Sequence, residues 1–470
     1  AYDVSVDRIV YPGDPSTEHL TINALHSYAR LVSFQNDVYE LVACDEDGVI
    51  LEGRETPDPQ TVTDLFIGCD IPDHAFMQTF LGDKSTLPSV DTIVLTEGCT
   101  AIGSDAFSWD EDVRNCLPHL STIRFEANPS LVLRSFTSIQ PVSFEVGEGC
   151  TAYAAENGAL LTADKTELIN WASAVGSVTL PVSVKTVWPF AMYRSEASAI
   201  TVPEGVVSIG QSAFGACAQL ATISLPASAV GLSYDIEAPE DSPYTYAGLI
   251  VAGSDAAAVT VDEDNPFVAS DEKGSLYSKD RSHLLFMPAT NDQIILVPEG
   301  VTHIEVSAIS GEFADEVIFP STLRFIGQAG VHDLDGAKVT FTSEEPPKLG
   351  LVAIDLAGIS EIHVPVGTKE AYSASLSQLG GELPSIIDDV EVDDPDPVPD
   401  PDPTPVPDPE PDAPVNIPET EGGAVSVDSV PVGETAIVVA EPDSGQEVRE
   451  VIVTDAEGNV VDVTINDDGT

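Results

Sequence analysis

The sequence predicts a mainly β solenoid: short strands and turns with few short helices, plus a small C-terminal all-β module. Three observations predict it. First, a phrase recurs, and Ala199-Ile-Thr-Val-Pro-Glu-Gly-Val-Val-Ser-Ile-Gly-Gln-Ser-Ala-Phe214 is its cleanest copy. Second, its proline returns at near-constant spacing: Pro181, Pro203 and Pro226, then Pro298 and Pro320. A fixed period of this size marks one supersecondary unit stacked on copies of itself. Third, ahead of these turns, apolar residues alternate with period two, which puts them on one face of a strand.

The inward pairs run Ile93/Leu95, Ile123/Phe125, Phe144/Val146, Val178/Leu180, Ile200/Val202 and Ile223/Leu225. They continue as Ile295/Val297, Val317/Phe319, Val339/Phe341 and Ile362/Val364. Where a proline follows, it ends the strand because it cannot donate to the ladder. Glu-Gly then turns the chain, and Ile-Gly closes the second side of the rung. The Ala-Phe pair sets a small residue where backbones approach and a ring in the interior. One rung cannot bury its apolar face, but a stack can.

Residues 1–61 alternate like strands at Val4–Val10 and Leu31–Phe34 without a copy of the repeat, and are expected to cap the stack. The solenoid is expected over 62–390, with Ile71-Pro-Asp-His-Ala-Phe76 as a degenerate first repeat. Two related segments, Tyr153–Ile169 and Asp271–Phe286, read as hairpins inserted between rungs, with a Gly or an Asp-Lys turn. From 391 to 415 the run Asp394-Pro-Asp-Pro through Pro411-Asp412 contains no Lys or Arg. Alternating proline makes it a stiff, extended polyproline II spacer of roughly 60 Å. Residues 416–470 read as strands around 424–427, 435–439, 448–454 and 460–465.

The repeats resemble the BspA-type leucine-rich repeats of bacterial surface proteins. Val202-Pro203, Val206, Ile209-Gly210, Ala213-Phe214, Cys217 and Leu220 match that pattern position by position. Glu345-Pro-Pro-Lys-Leu349 and Ile362–Tyr372 are similar to the family's terminal repeat. The resemblance covers roughly 62–385 and specifies the fold, not a ligand. Departures fall at Val187–Met192, at Ile304–Ile309 and at the extra residues Ser108–Asp112. The last segment, 416–470, resembles an incomplete β-sandwich repeat module of bacterial surface proteins. The resemblance implies an extracellular, bacterial cell-surface location, with the signal peptide and anchor expected outside this sequence.

The charge balance excludes several partners. With 18 Lys and Arg against 79 Asp and Glu in 470 residues, the net charge is −61. Nucleic acid and anionic lipid are bound through clustered cations, so neither is expected as a partner. No run approaches the roughly 18 apolar residues of a membrane span, so no membrane insertion is expected within this chain. Cations or basic partners are favoured.

No Cys-x-x-Cys pair argues for zinc. Cys116 and Cys217 fall at or near the repeat's cysteine slot, and Cys99 and Cys150 follow Glu-Gly where other rungs carry Val206 or Val301. These four read as small core residues, and a disulfide between Cys44 and Cys69 is open. His74 and His303 fall at degenerate turns and read as structural. No cofactor is expected. Calcium at Asp45-Glu-Asp-Gly48 or Asp262-Glu-Asp-Asn265 is a weak alternative, since neither follows EF-hand spacing.

The residues expected to face outward from the strands are Val94, Arg124, Ser143, Thr179, Thr201, Ser224, Leu296, Ile318, Thr340 and His363. That row has no carboxylate, whereas a carbohydrate-cleaving β-helix needs acidic residues on this face; the chain therefore reads as no enzyme. A neutral stripe in an acidic frame suits a binding surface, with Arg124, Thr179, Thr201, Ser224, Leu296, Ile318, Thr340 and His363 as candidates. The partner would be an extracellular protein or glycan, and the function adhesin-like recognition. The alternative is a structural surface-layer spacer without a specific ligand.

Overall fold

The computed structural model describes residues 27–391, apart from 36–37, 77–86, 108–116, 138, 140–141, 240–242, 255–256 and 290–292, together with the backbone of four strands between 423 and 461. The Val4–Val10 strand, Cys116, the Ser108–Asp112 insertion and the proline spacer lie outside the described residues. The chain divides into two compact units at 392/393.

The first unit is a stack of parallel rungs, each giving one strand to a front sheet. Three front sheets follow one another. The first begins with an antiparallel pair, Val38–Ala43 on Tyr28–Gln35, and continues in parallel through Asp64–Ile67, Thr92–Leu95, Thr122–Phe125 and Ser143–Val146. The second comprises Val175–Thr179, Glu196–Thr201, Thr222–Leu225 and Ala258–Val261. The third runs Ile294–Leu296, Glu316–Phe319, Lys338–Phe341, Glu361–Pro365 and Ser385–Val390. Shorter strands such as Thr186–Val187, Ser208–Ile209, His303–Ile304 and Phe325–Ile326 form the second side of the rungs.

The repeat phrase works as its residue types require. After the front strand, each repeat proline's carbonyl accepts the N–H three residues on: Val184 from Pro181, Val206 from Pro203, Ala229 from Pro226, Val301 from Pro298 and Leu323 from Pro320. Gly205 and Gly300 hold φ of 98° and 96° in the Glu-Gly turns, a conformation glycine reaches without Cβ strain. A second left-handed residue recurs per rung without a glycine to announce it: His74, Asp105, Phe190, Ser212, Ser307, Ala329 and Val352 all have positive φ. All of these but Val352 donate their N–H to the next rung, as from His74 to Ser104, Asp105 to Arg134 and Phe190 to Gln211. The repeat phenylalanines stack inside, with ring centroids 5.2 Å apart for Phe76–Phe107 and 5.7 Å for Phe107–Phe136.

The two inserted segments are three-stranded meanders rather than single hairpins. The first, Tyr153–Glu156, Ala159–Thr162 and Glu167–Asn170, turns at Asn157-Gly158 (φ 52° and 82°) and at Lys165 (φ 59°). Asn-Gly with both φ positive is the two-residue turn whose twist matches a hairpin. The second, Val268–Ser270, Leu276–Ser278 and His283–Phe286, turns at Gly274 and Arg281.

These meanders are walls. Leu160 and Ile169 pack into a core that contains Ile93, Phe125 and Phe144, whereas Leu161 and Leu168, one residue away, pack with Ile200, Phe214 and Ile223. In the second wall Leu276 and Leu285 join that middle core, and Tyr277 and Leu284 join a third with Val317, Phe341 and Tyr372. Strand alternation thus gives each wall two apolar sides. Each wall also ends a front sheet: the carbonyl of Gly158 accepts the Phe144 N–H, and that of Gly274 accepts the Val259 N–H.

Where the middle block breaks the repeat phrase, a 3-10 turn at Ala247–Val251 takes the place of a strand, with Leu249 O and Ile250 O accepting the N–H groups of Ser212 and Phe214. The helix Lys369–Leu376 closes the stack, burying Tyr372, whose hydroxyl donates to Ser343 O at 2.8 Å. In the second unit, Gly423–Val427 pairs antiparallel with Val438–Pro442, and Val453–Thr454 with Val460–Val461.

Candidate functional site

Register turns the expected outward row into three ladders. The first runs Arg30–Phe66–Val94–Arg124–Glu145. Ser143 is not in it: Glu145 lies between the inward residues Phe144 and Val146 and opposes Arg124. The row therefore does contain a carboxylate, and the expectation of none is corrected. The near end of this ladder is covered, because Cys44 packs over Phe66 and Val94. Arg124 is exposed and pairs with Glu126. Beyond Glu145 the ladder stops at the first wall.

The second ladder, Thr179–Thr201–Ser224–Thr260, is exposed along its whole length. Adjacent strands lie about 4.8 Å apart, so it presents a hydroxyl at each rung. The Ser224 and Thr260 hydroxyls lie 3.1 Å apart, and Thr260 also donates to Ile223 O. Beside it runs a second outward column of small residues, Ser177–Ala199–Thr222–Ala258. Thr260 was missed in the sequence because its rung, Ala258–Val261, lacks the proline-turn phrase.

The third ladder, Leu296–Ile318–Thr340–His363–Ile387, begins apolar, with Leu296 64% exposed. It then becomes ionic. Lys338 lies 2.8 Å from Glu316, and Thr340, buried, donates to the same carboxylate at 2.6 Å. Burial alone would raise the Glu316 pKa, but its bonds to Lys338 and Thr340 hold it below the usual carboxylate range. His363 has Asp389 2.7 Å from Nδ1 and Glu361 3.0 Å from Nε2. Its burial opposes the charge, yet the two carboxylates outweigh that and raise its pKa. The neutral stripe is therefore confined to the middle block, and Thr340 and His363 belong to a cross-strand charge network.

The opposite side carries a feature no repeat reading indicated. Phe267, Tyr244, His283, His303 and Phe325 form one row of rings at centroid separations of 4.8, 5.1, 4.3 and 5.7 Å. Only His283, His303 and Phe325 share a ladder; the other two rings come from outside it. His283 Nδ1 lies 2.6 Å from the buried Glu305. Desolvation, then the nearby His283 charge, push the His303 pKa down, with Glu305 opposing.

These histidines have opposite linkage signs. His363, raised, contributes stability that is complete below its unfolded pKa of about 6.5 and lost as pH climbs through its folded value. His303, lowered, contributes stability that is complete above about 6.5 and lost as pH falls through its folded value. His363→Gln is therefore expected to lower the urea midpoint more at about pH 5 than at about pH 8, and His303→Gln the reverse. Parallel pH profiles for the two variants would contradict this assignment.

The acidic loops are occupied with their own turns. Asp45 Oδ1 accepts the N–H groups of Asp47 and Val49, and Asp262 Oδ1 that of Asp264. Buried Asn265 donates to Pro226 O and Ala229 O, tying its loop to the preceding rung. Among the described residues no group of three or more His, Cys, Asp or Glu is placed to hold a metal ion, and no helix is long and apolar enough to cross a membrane.

Stacked parallel rungs, a proline turn and an inward Ala-Phe pair define a leucine-rich repeat solenoid. Residues 170–235 match the family described as BspA type leucine rich repeat region, in six copies. Among solved structures, the pneumococcal vaccine antigen PcpA is similar at 16% identity and TM-score 0.35, over 63% of this chain and 85% of that one. A leucine rich cell surface protein from Faecalibacterium prausnitzii is similar at 16% identity and TM-score 0.36, over 70% and 80%. A leucine-rich repeat protein from Eubacterium ventriosum aligns at 14% identity and TM-score 0.35, over 63% and 83%. No curated protein sequence matches the chain.

Proposed function

We propose that this is a non-catalytic, adhesin-like protein of the bacterial cell surface, whose solenoid recognises an extracellular protein or glycan of a host or neighbouring cell. The observation that carries the reading is the exposed ladder Thr179–Thr201–Ser224–Thr260 in a chain of net charge −61. Small hydroxyls can hydrogen-bond a partner's backbone or a sugar, and no charge has to be desolvated for it to approach. The BspA-type repeats support the reading, because a solenoid offers long surfaces rather than an enclosed pocket. Glu145 does not restore an enzyme reading, since it opposes Arg124 in register rather than a second carboxylate.

The test is a binding screen of the chain against extracellular-matrix proteins and glycan arrays at physiological salt, with and without calcium. A saturable ligand is expected, and changing Thr179, Thr201 and Ser224 together to Asp is expected to abolish its binding while leaving the fold intact. A hit that survives the triple change moves the site off this face. Silence across the screen from folded protein would favour the spacer without a ligand.

A further inference from the structure

Cys44 and Cys69 lie on opposite faces of the first sheet: Cys44 packs with Phe66 and Val94 on the outer face, whereas Cys69 packs against the core on the inner one. Cys69 has a different neighbour. Gly68, immediately before it, lies so close to Gly98 that a Cβ on Gly98 would sit 2.4 Å from Gly68 O. Asp70, immediately after it, accepts the N–H of Thr100 at 2.7 Å and that of Ala101 at 3.0 Å. Gly68 thus lies against Gly98 and Asp70 is bonded to Thr100, which places Cys69 beside Cys99 on the adjacent rung. Both contribute to the same core, Cys99 only 2% exposed and Cys69 half-buried. Adjacent strands lie about 4.8 Å apart, and a disulfide spans Cα separations of about 4.4–6.8 Å.

We propose that Cys69 and Cys99, thiols in this structure, are a cross-rung disulfide site that closes when the protein meets a small-molecule disulfide oxidant. The Cys69 thiolate attacks one sulfur of the oxidant and expels its other half as a thiolate. Cys99 then loses its proton and attacks Cys69 Sγ, forming the protein disulfide and expelling the second half. Two protein thiols are oxidised and one external disulfide is reduced to two thiols. Cys69 Sγ now lies 3.9 Å from Leu31 O, so closure requires a turn about its Cα–Cβ bond towards Cys99.

The order of attack follows from burial. Desolvation, with the charges of Asp70 and Cys69 adding to it, pushes the Cys99 thiol up to about 12, so Cys99 resolves rather than initiates. The bridge would close a loop between the first rungs, constraining the unfolded chain and tying the solenoid's entry to its second rung.

The experiment treats the full chain with oxidised glutathione in urea below the unfolding transition, then alkylates in denaturant and maps peptides without reduction. The expected result is the peptide bearing Cys69 joined to the peptide bearing Cys99, a loss of two alkylatable thiols, and a raised urea midpoint that returns on reduction. Cys69→Ala should leave Cys99 alkylatable and create no link to Cys44. A persistent glutathione adduct on Cys69, both thiols intact after prolonged oxidation, or Cys69 joined to any other cysteine would each overturn the proposal.

Discussion

Leu161→Ala is expected to cost about 2–5 kcal/mol, and Leu160→Ala a similar amount, yet the two should weaken different parts of the molecule. Both side chains are fully buried, and they are consecutive on one strand of the first wall. Leu161 fills the core of Ile200, Phe214 and Ile223, and Leu160 that of Ile93, Phe125 and Phe144. Deleting either leaves a cavity on one side of the wall only. Amide exchange should therefore accelerate in strands 196–201 and 222–225 for Leu161→Ala, and in strands 92–95 and 122–125 for Leu160→Ala. Indistinguishable exchange patterns would mean that the wall does not separate two cores.

Gly248→Ala is the second large effect, about 3 kcal/mol, and it arises from backbone rather than side-chain crowding. A Cβ there would lie 1.9 Å from Leu285 O. Neither side can yield cheaply. Gly248 belongs to the 3-10 turn that accepts hydrogen bonds from Ser212 and Phe214, and Leu285 to the last strand of the second wall. Gly300→Ala is the comparison: its φ of 96° strains a Cβ, but nothing lies within 4 Å of it. It should cost only about 1–2 kcal/mol. Chemical denaturation of both variants checks the order; equal losses would mean the turn slides away from Leu285.

Much of the front face was legible because strand alternation is a local signal. Ile93/Leu95, Ile200/Val202 and Val317/Phe319 announce their inward sides without any long-range information, and the structure buries all six. The proline turns were legible for the same reason. Partition into three cores was not, since each wall residue is simply apolar and only the fold shows that Leu160 and Leu161 face different neighbours. The ring row from Phe267 to Phe325 was hidden because rungs and intervening loops contribute to it together. Glu145 was passed over for Ser143, which lies two residues earlier on the same face of the strand, so the slip was one of position along the face rather than of face. Left-handed residues such as Ser212 and Ser307 gave no sign because hydrogen bonds to neighbouring segments, rather than glycine, hold them there.

The double-sided walls bear on how such a chain can lengthen. Adding or removing a rung within a block changes the neighbours of an existing core on both sides. A segment that begins and ends at equivalent points of two walls carries a finished apolar boundary at each end. Duplicating the stretch from the first wall to the second would place wall against core at every new junction, as the present sequence already does twice. The smallest interchangeable piece of this molecule is therefore a walled compartment of several rungs, and a lineage could vary its reach in those steps without reopening a core.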